Sequence, residues 1–185
     1  DDVYMAIVDG FPAIAYFDNS SDDLMYVRAT DIDGTSWGTP VTVFATGVVG
    51  SQQRTLAVVA GNPAISFYDQ TNQKLKFVRA TNSTGTNWGT PVSVDSGLFV
   101  GDQNSMVVVN SNPAIAYRDI INSDVKYVRA SNSTGTAWGT PVVVSTKGFI
   151  SISMAVVNGN PAMCYASVNN PNDELFYIRA ISACG

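Results

Sequence analysis

The chain has 185 residues, 45% apolar and only 14% charged, with ten Lys plus Arg against fifteen Asp plus Glu for a net charge of −5. That composition supports a packed core and excludes both a disordered chain and a basic surface for nucleic acid. There is no histidine, and Glu174 is the one glutamate, which excludes histidine-dependent nucleophile triads, imidazole bases and histidine-ligated zinc.

The elements repeat. Phe11-Pro12-Ala13-Ile14-Ala15-Tyr16 returns at Asn62-Pro63-Ala64-Ile65-Ser66-Phe67, at Asn112-Pro113-Ala114-Ile115-Ala116-Tyr117 and at Asn160-Pro161-Ala162-Met163-Cys164-Tyr165, with prolines 51, 50 and 48 residues apart. A second mark keeps step with the first: Tyr26-Val27-Arg28-Ala29 recurs around Arg79, Arg129 and Arg179. A third, Gly-Thr-x-Trp-Gly-Thr-Pro-Val, begins at Gly34, Gly85 and Gly135 and is missing from the fourth copy. A fixed period near fifty residues sets the architecture before local propensity does.

Within the second copy the expected strands are Leu56 to Val59, Ala64 to Tyr68, Leu75 to Ala80 and Pro91 to Val94. Gly61-Asn62-Pro63, Asp69 to Asn72 and Asn82 to Thr86 break them apart. Four short strands per repeat and no helical periodicity predict an all-β propeller of four blades, approximately 4–51, 52–102, 103–152 and 153–185, forming a single domain. The last blade lacks its outer strand, because the chain's fourth copy stops after Tyr177-Ile178-Arg179-Ala180.

The turn Thr30-Asp31-Ile32-Asp33-Gly34-Thr35-Ser36-Trp37 resembles the Asp-box of sialidase-like and related bacterial repeat propellers. Gly34, Gly85, Gly135 and Trp37, Trp88, Trp138 fit that box, while Ile32, Ser83 and Ser133 stand where it carries Asp. The resemblance implies a blade-building role for these turns and no catalysis. On the residues themselves, Gly permits a positive-φ turn and Trp packs the loop between blades. The repeated arginines are expected to tie neighbouring blades together through carbonyls or a buried acid.

Asp18, Asp69 and Asp119 close the second strands on one face of the ring, with Ser167 breaking the series. They and the three tryptophans are the candidate ligand-binding residues. Calcium is the ion such aspartates would take, but an Asx-turn explains each of them, and no metal or other cofactor is assigned. A sialidase-like hydrolase needs an arginine cluster, a tyrosine nucleophile and paired acids. Arg54, Arg118 and Glu174, the irregular charged residues, do not assemble one in sequence, so no catalytic residues and no enzyme activity are expected.

The expected function is a secreted, non-enzymatic propeller that associates with itself as a structural or binding scaffold, extending to an extracellular filament or tube. A glycan-binding lectin is the alternative, and a sialidase-like hydrolase fragment the weakest one. The partner is another copy, paired through the unfinished edge at Tyr177, Ile178 and Arg179. Nucleic acid is not a partner, and no apolar run reaches the roughly 18 residues of a membrane span. Cys164 reads as a small core residue, and Cys184 as better placed for an intermolecular disulfide.

Overall fold

The computed structural model describes residues 3–49, 55–146, 149–167 and 174–182, and among them there is no helix. The first blade is β1 (Tyr4–Val8), β2 (Phe11–Asp18), β3 (Asp23–Arg28) and β4 (Val41–Phe44). The second is β5 (Thr55–Val59), β6 (Asn62–Asp69), β7 (Lys74–Arg79) and β8 (Val92–Ser93). The third is β9 (Val100–Val109), β10 (Asn112–Asp119), β11 (Asp124–Arg129) and β12 (Val142–Ser145). The fourth contains β13 (Phe149–Val157), β14 (Asn160–Ser167) and β15 (Glu174–Arg179). Each blade is an antiparallel sheet with its strands in chain order, the last three-stranded among the described residues. This is the predicted propeller, with two boundaries moved: residues 102 and 152 fall inside β9 and β13.

The first hairpin of each blade explains why the repeats fold alike. Its two turn residues both take positive φ, as at Asp9-Gly10 (50° and 82°) and Ala60-Gly61 (45° and 80°), and this twist matches that of the flanking strands. The turn therefore ends one residue before the Asn-Pro pair, which opens the second strand instead of breaking it. The proline carbonyl is still used: Pro63 and Pro113 each accept the backbone N–H of Ala80 and Ala130 at 2.8 Å.

Blades two and three bury both faces. The first strand lies innermost, and β1 packs on β5, β5 on β9 and β9 on β13. Three clusters fill the junctions: Leu24 and Tyr26 against Ile65 and Phe67, Leu75 and Phe77 against Ile115 and Tyr117, then Val125 and Tyr127 against Met163 and Tyr165. Burial on both sides is why the strands read as continuous apolar runs instead of clean alternations.

Candidate functional site

The tryptophan turns are built as staples. Trp88 Nε1 donates to Gly85 O at 2.8 Å and its ring meets Tyr26 of the preceding blade edge-on at 5.2 Å. Trp138 repeats this with Gly135 O and Phe77, at 2.9 Å and 5.3 Å. Trp37 makes the same internal bond, 2.9 Å to Gly34 O, but is exposed. The residue that organises the turn is the one before Ile32, Ser83 and Ser133. Thr35 N donates to Asp31 Oδ1 at 2.8 Å, and Thr86 N and Thr136 N donate to Asn82 and Asn132 Oδ1, each at 3.1 Å.

The repeated arginines act inside their own blades, contrary to the inter-blade tie expected. Arg79 Nε and one terminal N–H donate to the carbonyls of Val59 and Ala60, both at 2.7 Å, pinning the third strand to the first hairpin. Arg28 does the same with Val8 and Asp9, and Arg129 with Val109 and Asn110. Cavities of about 360 and 210 Å³ open beside Arg28 and Arg79, lined by threonines and the glycine turn of the next blade. They hold no carboxylate, so they offer hydrogen bonds but no acid–base chemistry.

The second-strand aspartates close their own turns. Asp18 accepts from Ser20 N at 2.9 Å and Ser20 Oγ at 2.6 Å, and these bonds hold its carboxyl below the usual range. Asp69 accepts from Asn72 N at 3.0 Å and Asn72 Nδ2 at 2.8 Å, and Asp119 from the equivalent atoms of Asn122. Among the described residues no three acids or cysteines converge as metal ligands. Arg54 and Cys184 lie outside the described residues. Cys164 is exposed, not in the core, because the face of blade four that carries it has no blade packed on it.

A different set converges around the third blade. Asp119 Oδ2 receives Lys126 Nζ at 2.8 Å, and Asp95 Oδ2 lies 3.7 Å from the same ammonium while accepting Tyr117 OH at 2.7 Å. Burial opposes ionisation of Asp119, but the bonds from Lys126 and Asn122 outweigh it and hold the carboxyl below its ordinary value. Tyr117 is pushed up by burial and by its bond to Asp95. Separately, Asp102 on the innermost strand β9 is buried, with Oδ2 3.5 Å from Arg118 on β10. Its Oδ1 has no hydrogen-bond partner among the described residues. Burial raises the Asp102 carboxyl despite Arg118, and Tyr68 is raised by burial and by the charges of Asp102 and Asp69. Buried Ser66 Oγ and Asn104 Oδ1, 2.6 Å apart, continue this polar seam between blades two and three.

Asp95 and Arg118 do not follow the repeat: their counterparts by motif spacing are Phe44 and Ser145 for Asp95, and Phe17, Tyr68 and Ala166 for Arg118. Asp102 follows it in part, with Asp1, Gln52 and Ile150 at the same spacing in the other copies. Subtracting one repeat from another would have singled out Asp95 and Arg118.

No family model matches the chain, and no curated protein sequence matches it. Solved structures do. An exo-β-1,3-galactanase from Phanerochaete chrysosporium, determined with galactose, superposes with a TM-score of 0.67 at 14% identity, over 99% of this chain and 47% of its own. An α-L-arabinofuranosidase from Lactobacillus brevis gives 0.62 at 15% identity, over 95% and 66%. The catalytic domain of a Coprinopsis cinerea GH62 α-L-arabinofuranosidase gives 0.63 at 11% identity, over 100% and 65%. The fold is a β-propeller of the kind these glycoside hydrolases use. The chain spans two thirds or less of their length.

These neighbours overturn the expectation of a non-enzymatic scaffold and its lectin alternative. They are enzymes that act on carbohydrate, whereas the expectation was drawn from the repeated residues and gave no weight to Asp95 or Asp102.

Proposed function

We propose that the chain is a carbohydrate-processing propeller that cleaves glycosidic bonds beside the inner strand of its third blade, with Asp102 as proton donor. The observation that carries this reading is the buried Asp102 carboxyl, whose Oδ1 has no hydrogen-bond partner among the described residues and whose protonated form burial favours. Glycoside hydrolysis asks for such a carboxyl to protonate the departing oxygen, and for an ionised carboxylate to take the proton from the attacking water or to attack the sugar itself. Arg118 steadies Asp102 from one side through a terminal N–H, while its Nε is buried. Asp69, whose charge acts on Tyr68 together with that of Asp102, is the candidate for the second role. The tryptophan turns belong to this proposal as Asp-box-like staples, supported by their Gly-Trp geometry, and secretion belongs to it because polysaccharides are met outside the cell.

The test is sugar release from β-1,3-galactotriose, xylotriose and an α-L-arabinofuranoside. Turnover of one of them by the wild-type chain, lowered about a hundredfold or more in Asp102→Asn with an unchanged melting curve, is the expected result. Activity should fall as pH rises through the elevated pKa of Asp102, because a proton donor works only while protonated. Absence of turnover on all three substrates overturns the reading, and undiminished turnover in Asp102→Asn removes Asp102 from the role.

A further inference from the structure

Exposed apolar side chains gather on the rim beside Asp102. Leu98 and Ile121 are 53% and 68% exposed, and their chain neighbours Phe99 and Ile120 are half-buried. The backbone brings the two segments together: one step beyond the pairing of Val100 with Asp119, Ile120 N donates to Phe99 O at 2.8 Å. Phe99 stands three positions before Asp102, so the two lie at most about 11 Å apart along the chain, a span that about two linked sugar rings cover.

The pairing is repeated but the side chains are not. In blade two the same bond runs from Gln70 N to Val48 O at 3.0 Å, and the residues at the matching positions are Gly47, Val48, Gln70 and Thr71. There the rim is closed by a polar contact, with Val48 N donating to Thr71 Oγ1 at 2.8 Å. Blade three has Leu98, Phe99, Ile120 and Ile121 instead, so building a blade does not ask for this apolar set.

Phe99 also takes φ 57°, the bulkiest side chain in the left-handed region among the described residues. Bulky residues avoid that region, and such strain persists only where the surroundings enforce it. Here they do. Phe99 N donates to Gln73 O at 2.7 Å, Lys74 Nζ to Ser96 O at 3.1 Å and Gly97 N to Asp95 Oδ1 at 2.8 Å, while Tyr117 OH fastens Asp95 from β10 at 2.7 Å.

We propose that this rim is a second sugar subsite of the Asp102 site, where the pyranose next to the scissile bond rests its C–H face on Phe99, Leu98 and Ile121. The substrate is then an oligosaccharide, not a single sugar. Pyranose hydroxyls point mostly outward and leave a face of axial C–H bonds, which aromatic and aliphatic side chains cover through dispersion and C–H contacts. A protein partner would call for a broader apolar surface than these few side chains beside a buried carboxylate. The subsite takes its place from the hydrolase reading, and binding measured apart from turnover keeps the two separable.

Calorimetric titration of the Asp102→Asn chain with β-1,3-galactotriose, xylotriose, galactose and xylose tests this, alone and with Phe99→Gly or Leu98→Ser added. Glycine suits φ 57° and Leu98 is exposed, so both variants should melt as the parent does, and Leu98→Ser carries the test if Phe99→Gly does not fold. The expected result is one trisaccharide bound more tightly than its monosaccharide, with that advantage reduced about tenfold by Phe99→Gly and severalfold by Leu98→Ser. Trisaccharide binding that both variants leave intact overturns the subsite even if the wild-type chain turns the sugar over, and so does the absence of binding to either trisaccharide. Binding that depends on Phe99 in a chain without turnover would keep the subsite and remove the hydrolase reading.

Discussion

Replacing Lys126 with Met should destabilise the protein by about 3 kcal/mol, because it strands two buried carboxylates on one side of a junction. The Lys126 ammonium lies 2.8 Å from Asp119 and 3.7 Å from Asp95, and both acids are buried. Met keeps the apolar stem, so the loss isolates the charge. For a chain of this size that corresponds to a fall in melting temperature of roughly 6–12 °C. Adding Asp119→Asn to the Lys126→Met variant should recover part of the loss, since the amide can still accept a bond from Asn122 without a charge to neutralise.

The pH dependence of the same pair has a definite sign. Asp119 is held below its ordinary value of 3.8, so its contribution is complete above that value and disappears as pH falls through the lowered pKa. Burial pulls the Lys126 pKa down, but Asp119 and Asp95 raise it above 10.5 on balance, so its contribution is complete below 10.5 and disappears only as pH rises past the raised value. The stability gap between wild type and Lys126→Met should therefore be flat through neutrality. It should narrow in acid, where the stranded Asp119 becomes protonated and the charge that costs stability is removed. A gap that widens in acid would contradict this assignment.

The propeller was legible because its instructions are repeated. Each copy of Asn-Pro-Ala-Ile, Tyr-Val-Arg and Gly-Thr-x-Trp specifies the same strand, pin and staple, and four copies in phase admit few other architectures. Two details escaped for local reasons. The positive-φ pair Ala60-Gly61 showed only its glycine as a turn residue, so Asn62-Pro63 looked like part of the break. The arginines looked inter-blade because only folding shows that the hairpin carbonyls of Val59 and Ala60 come within 2.7 Å of Arg79. The candidate site was hidden by the same repetition that revealed the fold. Recurrence reports packing, whereas Asp95 and Arg118 have no like counterpart in the other copies, and only folding brings Arg118 on β10 to Asp102 on β9 and closes Tyr117 onto Asp95. Arg118 stood out as irregular, but nothing local in the sequence joined it to Asp102, sixteen residues earlier on a different strand.

The three glycines of the tryptophan turns should respond unequally to the same substitution, although their sequences and dihedral angles match. Gly85→Ala and Gly135→Ala each force a residue with a side chain into the left-handed region, which costs about 1–2 kcal/mol. In addition each new methyl would sit 2.4 Å from a ring carbon, of Tyr26 or Phe77. Those rings are buried and held edge-on by Trp88 and Trp138, so relieving the clash means shifting them toward the cavities of about 360 and 210 Å³ that they line and breaking that edge-on packing. Overpacking of this kind adds about 1–3 kcal/mol. The sum, about 2–5 kcal/mol, should lower the melting temperature by roughly 4–20 °C. Gly34→Ala meets only Pro12 Cγ at 3.3 Å, so in the isolated chain it should carry little beyond the backbone cost. Thermal melts of the three variants at a concentration where the chain is monomeric check this directly. Equal losses at all three positions would mean that backbone conformation alone requires these glycines, and that the aromatic rings of the preceding blades impose nothing further.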